Sequence, residues 1–117
     1  MRLPTDELLR EHYAELVDKP FFEDLMAYVG SGPVICMAWR GREAVKEARR
    51  LIGATNPSKA EIGTIRGDFG QTAGRNIIHG ADSVQSAARE IALWFSDADT
   101  DLIQWESALQ NWTVDSN

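Results

Sequence analysis

Leu8, Leu9, His12, Tyr13 and Leu16 fall on one face at three- and four-residue spacing, which predicts an amphipathic helix. Thr5 precedes it as an N-cap, Asp6 and Glu7 sit where the helix dipole favours acids, and Lys19-Pro20 ends it. Phe21, Phe22, Leu25, Met26 and Val29 repeat the pattern until a turn from Gly30 to Pro33. The unbroken apolar run Val34-Ile35-Cys36-Met37-Ala38-Trp39 has a different rhythm and predicts a strand. After a turn at Arg40-Gly41, Val45, Ala48, Leu51 and Ile52 predict a third helix closed by Gly53. From Ala54 to Gly74 no period is visible, and long ordered loops of this kind are usually functional. A last helix is predicted from Val84 to Phe95, with Val84, Ala87, Ala88, Ile91 and Phe95 inward and Arg89 outward. The tail with Trp105 and Trp112 reads as packed and irregular.

One strand and a stub near Asn76 cannot make a sheet with satisfied edges. Either further strands lie in segments that read as loop, or part of the sheet lies outside this chain.

Composition narrows the class. The 117 residues suit one domain, 1–117, and 44% apolar with 26% charged residues is ordinary for a soluble globular protein. No apolar run approaches the ~18 residues of a membrane span, and Met1 to Thr5 lacks a signal-peptide pattern. A cytoplasmic protein with no membrane partner is expected. The lone Cys36, with apolar flanks, reads as a reduced, buried core residue rather than a nucleophile. With two histidines and one cysteine in the chain, a zinc site is not expected.

The net charge of −6 argues against a nucleic-acid partner, but its distribution is uneven. Eight of the twelve basic residues lie between Arg40 and Arg75, against four of the eighteen acids, so this segment is +4 and the remainder −10. A local basic zone in an acidic chain suits a focused site for a small polyanion.

Candidate chemistry concentrates in Arg75-Asn76-Ile77-Ile78-His79-Gly80-Ala81-Asp82-Ser83. A short β-branched run, a histidine, a glycine and then Asp82-Ser83 as a helix start would set His79 at an exposed strand-to-helix corner. An anion held against it would meet the positive end of the following helix. His79 is therefore the leading candidate for a nucleophile toward phosphate.

Asn76 to Asp82, with Gly63-Thr64-Ile65-Arg66-Gly67-Asp68-Phe69 upstream and Arg89-Glu90-Ile91-Ala92-Leu93-Trp94-Phe95 downstream, resembles the nucleoside diphosphate kinase family. Glu11-His12-Tyr13 and Lys19-Pro20-Phe21-Phe22 fit it too, so the resemblance runs from about Leu8 to Phe95. It implies an α+β, ferredoxin-like fold with an antiparallel sheet covered by helices. The chain is expected to lack that fold's first strand and helix and most of its second strand, together with a lysine on the first strand.

The resemblance also implies ping-pong transfer of a γ-phosphoryl group from a nucleoside triphosphate to a nucleoside diphosphate through a phosphohistidine on His79. Glu90 would orient the imidazole. Arg49, Arg66 and Thr55 would contact phosphates, with Mg2+ arriving through the nucleotide phosphates rather than on protein ligands. Asn76 matches the ribose contact, Phe21 and Leu25 would pack on the base, and Tyr13 belongs to the same nucleotide-binding set. His12 reads as structural.

The family implies oligomers, here of this chain alone or mixed with a full-length relative. Two alternatives stand beside this reading: a shortened, non-catalytic subunit that docks into a relative's oligomer without need of His79, and a phosphohistidine relay to protein that uses His79 equally. Ala81 stands at a usual serine, which implies slower turnover, and Ile62 at a usual proline, which implies a looser Arg66 loop.

Overall fold

The computed structural model describes residues 1–95 and 106–109, so the tail expected around Trp105 and Trp112 lies outside the described residues. Five α-helices follow in order: α1 Asp6–His12, α2 Phe22–Val29, α3 Ala44–Ile52, α4 Ile65–Phe69 and α5 Val84–Trp94. Single 3-10 turns form at Ala14–Leu16 and Pro57–Lys59.

Three helices start on side-chain caps that satisfy first-turn N–H groups. The Thr5 hydroxyl accepts from the Leu8 N–H at 3.1 Å, Thr64 from Gly67 at 3.0 Å and Ser83 from Ser86 at 3.0 Å. α3 stops where Gly53 takes φ 90°, a conformation that a side chain would oppose.

The core is small. Leu9, Phe22 and Met26 are buried together, with Tyr13, Leu16, Val29 and Trp94 packed against them. α1 is thus the central element, meeting α2 on one side and α5 on the other. The second contact matters for function, because it sets His12 of α1 against Glu90 and Trp94 of α5.

Several sequence expectations need correction. Val34 to Trp39 does not form a strand: only Val34 pairs, exchanging two backbone hydrogen bonds with Arg2 at 2.7 and 2.8 Å. Ile35 is 74% exposed and Trp39 71%. An apolar run fixes how well a segment suits a sheet, but a ladder also needs a partner strand. Cys36, on the same segment, is half-buried rather than buried, and burial pushes its thiol pKa up, away from reactivity. The stub near Asn76 is a turn. Beyond isolated bridges at Arg2–Val34 and Thr72–Arg75, no strand pairing is found among the described residues, so they do not display the expected antiparallel sheet.

α5 also presents a different face from the one expected. Val84 is 77% exposed and Ile91 is exposed, while Trp94 supplies the packing toward α1. The segment from Ala54 to Gly74 is more ordered than its lack of period suggests. It holds a 3-10 turn and α4, both too short to show a helical period.

Candidate active site

The backbone before His79 is bent into an unusual turn. The Ile78 N–H donates to the Asn76 carbonyl at 2.8 Å across Ile77, whose φ is 61°. This is the rare positive-φ γ-turn, and a β-branched residue at its centre is strained. Three side chains from the basic zone and its neighbourhood hold the segment in place. Arg66 donates to the Ile78 carbonyl at 2.6 Å, Arg49 to the Gly80 carbonyl at 3.0 Å, and the Asn76 amide to the Thr55 carbonyl at 3.2 Å. His79 lies between the two carbonyls that the arginines grip.

The His79 side chain is 47% exposed, and its Nε2 lies 2.7 Å from Glu90 Oε1, on a carboxylate only 17% exposed. A carboxylate accepts, so Nε2 carries the proton and Nδ1 keeps its lone pair. Behind this pair sits His12, with a side chain 4% exposed. Its ring meets the His79 ring edge to face at 4.6 Å and 82°, and the Tyr13 ring at 4.5 Å and 88°. The Trp94 indole N–H donates to His12 Nδ1 at 3.0 Å.

These surroundings set the charge states. Burial, then His79 and Arg89, lower the His12 pKa from 6.5 to about 4. Burial and the Glu90 carboxylate raise that of Tyr13. An unfolded His12 takes a proton below about 6.5 and the folded one only near 4, so folding stability falls with pH across that window. The loss from this group is about 3 kcal/mol, complete once both states are protonated. Urea unfolding at pH 7 and 4.5 checks it: the native chain is expected to lose about 2 kcal/mol more stability than His12→Gln, the rest of the loss lying below pH 4.5. Equal losses would contradict a neutral buried His12.

Arg66 is the buried cation of the site, at 6% exposure. Besides Ile78, it reaches the Gly53 carbonyl at 3.4 Å, and its Nε is buried without a partner. Burial and the neighbouring Arg49 lower its pKa. The loop beneath it is rigidly built: the Gly63 N–H donates to Asp68 at 2.9 Å and the Thr64 hydroxyl to the Glu61 carbonyl at 2.6 Å. A Cβ at Gly67 would run into the Glu61 carbonyl oxygen, so glycine is required there. These bonds tie the loop in place with Ile62, the residue at the usual proline position, 96% exposed.

Arg49, Arg66, Asn76 and Thr55 are therefore connected through the short backbone segment around His79, Glu90 joins through the His79 ring, and Tyr13 is reached only through its ring contact with His12. Phe21 and Leu25 are not joined to this segment by a hydrogen bond or ring contact among the described residues. Phe21 is half exposed at the start of α2, and Leu25 is half-buried. Sequence reasoning read His12 as structural and gave Trp94 no role of its own; the structure sets His12 beside both Glu90 and Trp94. The available signal was spacing: Glu90 and Trp94 are four residues apart, so a residue packed on Trp94 also faces Glu90.

His12, His79 and Glu90 offer donor atoms within 4.8 Å of one another. The set does not suit Mg2+, which prefers six oxygen ligands. It is also preoccupied, since His12 Nδ1 accepts from the indole and His79 Nε2 faces Glu90. No helix among the described residues is long and apolar enough to cross a membrane.

Comparison with known proteins shows the family of the chain. Residues 1–100 match the family model described as nucleoside diphosphate kinase. A mouse protein named Nucleoside diphosphate kinase 3 is 55% identical over 108 residues, which are 92% of this chain and 63% of the mouse protein. A Cyanothece protein named Nucleoside diphosphate kinase is 53% identical over 92% of this chain and 71% of its own length. Among solved structures, a halophilic nucleoside diphosphate kinase from Halobacterium salinarum in complex with CDP superposes with a TM-score of 0.87 at 44% identity. That match covers 98% of this chain and 75% of the other. A Babesia bovis family member gives 0.84 at 46% identity, covering 95% and 74%. The chain thus spans about two thirds to three quarters of the length of these relatives, and it belongs to the nucleoside diphosphate kinase family.

Proposed function

We propose that the chain transfers the γ-phosphoryl group of a nucleoside triphosphate to a nucleoside diphosphate by way of His79. The observation that carries this reading is the His79–Glu90 contact of 2.7 Å, in which a proton on Nε2 is donated to the carboxylate and Nδ1 is left as the nucleophilic nitrogen. Nδ1 donates its electron pair to the γ-phosphorus while the bond from that phosphorus to the bridging oxygen breaks. The nucleoside diphosphate leaves with the bonding pair. The positive charge developing on the ring is met at Nε2 by the Glu90 carboxylate. Attack by the terminal phosphate oxygen of an acceptor diphosphate reverses the sequence and restores the imidazole.

Phosphoryl transfer is catalysed mainly by positioning and charge stabilisation. Arg49 and Arg66 each bind backbone beside His79 through part of the guanidinium, leaving further N–H donors for phosphate oxygens. Thr55 joins them on the phosphates. Asn76 would contact the ribose, Phe21 and Leu25 would flank the base, and Tyr13 would line the same cleft. A divalent cation such as Mg2+ would be held by the nucleotide phosphates rather than by protein ligands, and would supply charge neutralisation there. The Halobacterium relative's complex with CDP makes a pyrimidine diphosphate a fitting acceptor. Within an oligomer of the family type, the ferredoxin-like sheet would be the framework beneath the site.

Incubating the chain with γ-labelled ATP and Mg2+ is expected to place acid-labile phosphate on His79, which added CDP then removes as CTP. A folded chain that takes up no label would sink this reading.

A further inference from the structure

His12 has no role in the transfer described above, yet its buried side chain lies against His79, Glu90, Tyr13 and Trp94. It ends α1 with its imidazole enclosed by Tyr13, His79 and Trp94. Its Nδ1 is 3.9 Å from the same Glu90 oxygen that bonds His79 at 2.7 Å. Two imidazoles thus face one carboxylate oxygen, and only one is within hydrogen-bond reach.

The indole decides between them. An indole N–H is a donor and nothing else, so the 3.0 Å contact from Trp94 requires a lone pair on His12 Nδ1. His12 must then carry its proton on Nε2 and remain neutral, because an imidazolium would point a second N–H at the indole N–H. Without the indole, Nδ1 could take a proton and compete for Glu90, drawing the carboxylate from His79. The edge-to-face packing at 82° meanwhile restricts rotation of the His79 ring, which among the described residues is otherwise held by its hydrogen bond with Glu90.

We propose that His12 is a positioning residue for His79: a neutral imidazole, locked in its Nε2–H tautomer by Trp94, that sets the nucleophile's ring plane and leaves Glu90 to it alone. This rests on the phosphohistidine reading. The groups facing His12 are His79, Glu90 and Arg89 on and beside α5, and Tyr13 next to it in the chain. Of these, His79 when charged and Arg89 disfavour a second positive charge on His12, and Glu90 is the group that a protonated His12 would capture.

Nitrogen-15 NMR of the histidine rings in the full chain, without nucleotide, reads the tautomer directly. His12 is expected to stay neutral and protonated at Nε2 from pH 8 to 5.5. Proton uptake by His12 near the ordinary 6.5, or a proton on Nδ1, would overturn the proposal.

The second arm is Trp94→Phe, which keeps an aromatic ring and removes the donor. His12 is then expected to titrate between pH 5.5 and 7, and phosphorylation of His79 by ATP at pH 6 to slow about tenfold with apparent ATP affinity unchanged. At pH 8, where His12 carries no charge, the loss should be smaller than at pH 6, limited to the share of His12 that holds its proton on Nδ1. His12→Phe added to Trp94→Phe is expected to remove the acid-side loss, which a purely structural His12 would not do. A Trp94→Phe pH profile that superimposes on the native one counts against the proposal. If Trp94→Phe does not fold, the tautomer of the native chain decides. If native His79 takes no phosphate, the enzymatic reading fails while the NMR result still decides the state of His12.

Discussion

His79→Ala is expected to reduce phosphate transfer from ATP to CDP to background, a loss on the order of 10^4-fold or more, because the proposed covalent intermediate forms on the imidazole that is removed. The native residue is 47% exposed and makes one strong polar contact, so its removal should leave the fold largely intact. The remaining cost falls on Glu90, a carboxylate 17% exposed that loses its partner at 2.7 Å, about 1 to 2 kcal/mol. Rapid-quench transfer assays and urea unfolding on the same preparation separate the two effects. Transfer that persists in a folded His79→Ala protein would show that the acceptor of the phosphoryl group lies elsewhere.

The second large effect is at Arg66, and it should appear in stability and rate together. Arg66→Ala removes charged donors from the Ile78 carbonyl at 2.6 Å and the Gly53 carbonyl at 3.4 Å. Hydrogen bonds to a charged group contribute about 1.5 to 3 kcal/mol, and truncating a side chain that is 6% exposed adds a cavity. A total loss of roughly 3 to 4 kcal/mol is expected from the denaturation midpoint. Transfer should fall by about 10^2 to 10^3-fold in the protein that remains folded, since one phosphate clamp is gone and the turn before His79 is released. Arg66→Lys restores the charge without the planar fork and should recover little of either. A stable, fully active Arg66→Lys would assign the arginine to bulk charge rather than to geometry.

Local signals in the chain were readable and long-range ones were not. Thr5, Gly53 and Ser83 cap or close helices through contacts within a few residues, and each does so where its sequence context indicates. The His79 neighbourhood was legible because its motif is contiguous, and Glu90 follows eleven residues later on the next helix. Val34 to Trp39 misled because its composition suits a strand, whereas pairing depends on what lies beside it; only Arg2 does so here. α5 misled for a related reason. Counting apolar positions favoured the face with Val84 and Ile91, but the helix docks through Trp94, whose indole needs the acceptor that His12 supplies. His12 was hidden by its own spacing, which matches an apolar helix face as well as a site.

Ile77 carries a consequence for how this chain would respond to selection in the laboratory. Its φ of 61° at the centre of a γ-turn costs on the order of 1 to 3 kcal/mol for a β-branched residue, and glycine would relieve it. Ile77→Gly is therefore expected to lower strain at little loss of packing, since the side chain is 48% exposed. The same change would loosen Ile78, the one residue between position 77 and the nucleophile. A library screened only for survival of heating should accordingly enrich glycine or asparagine at position 77, and the survivors should be the slower catalysts. Screened instead for turnover, the same library should keep isoleucine and find its thermal gains elsewhere.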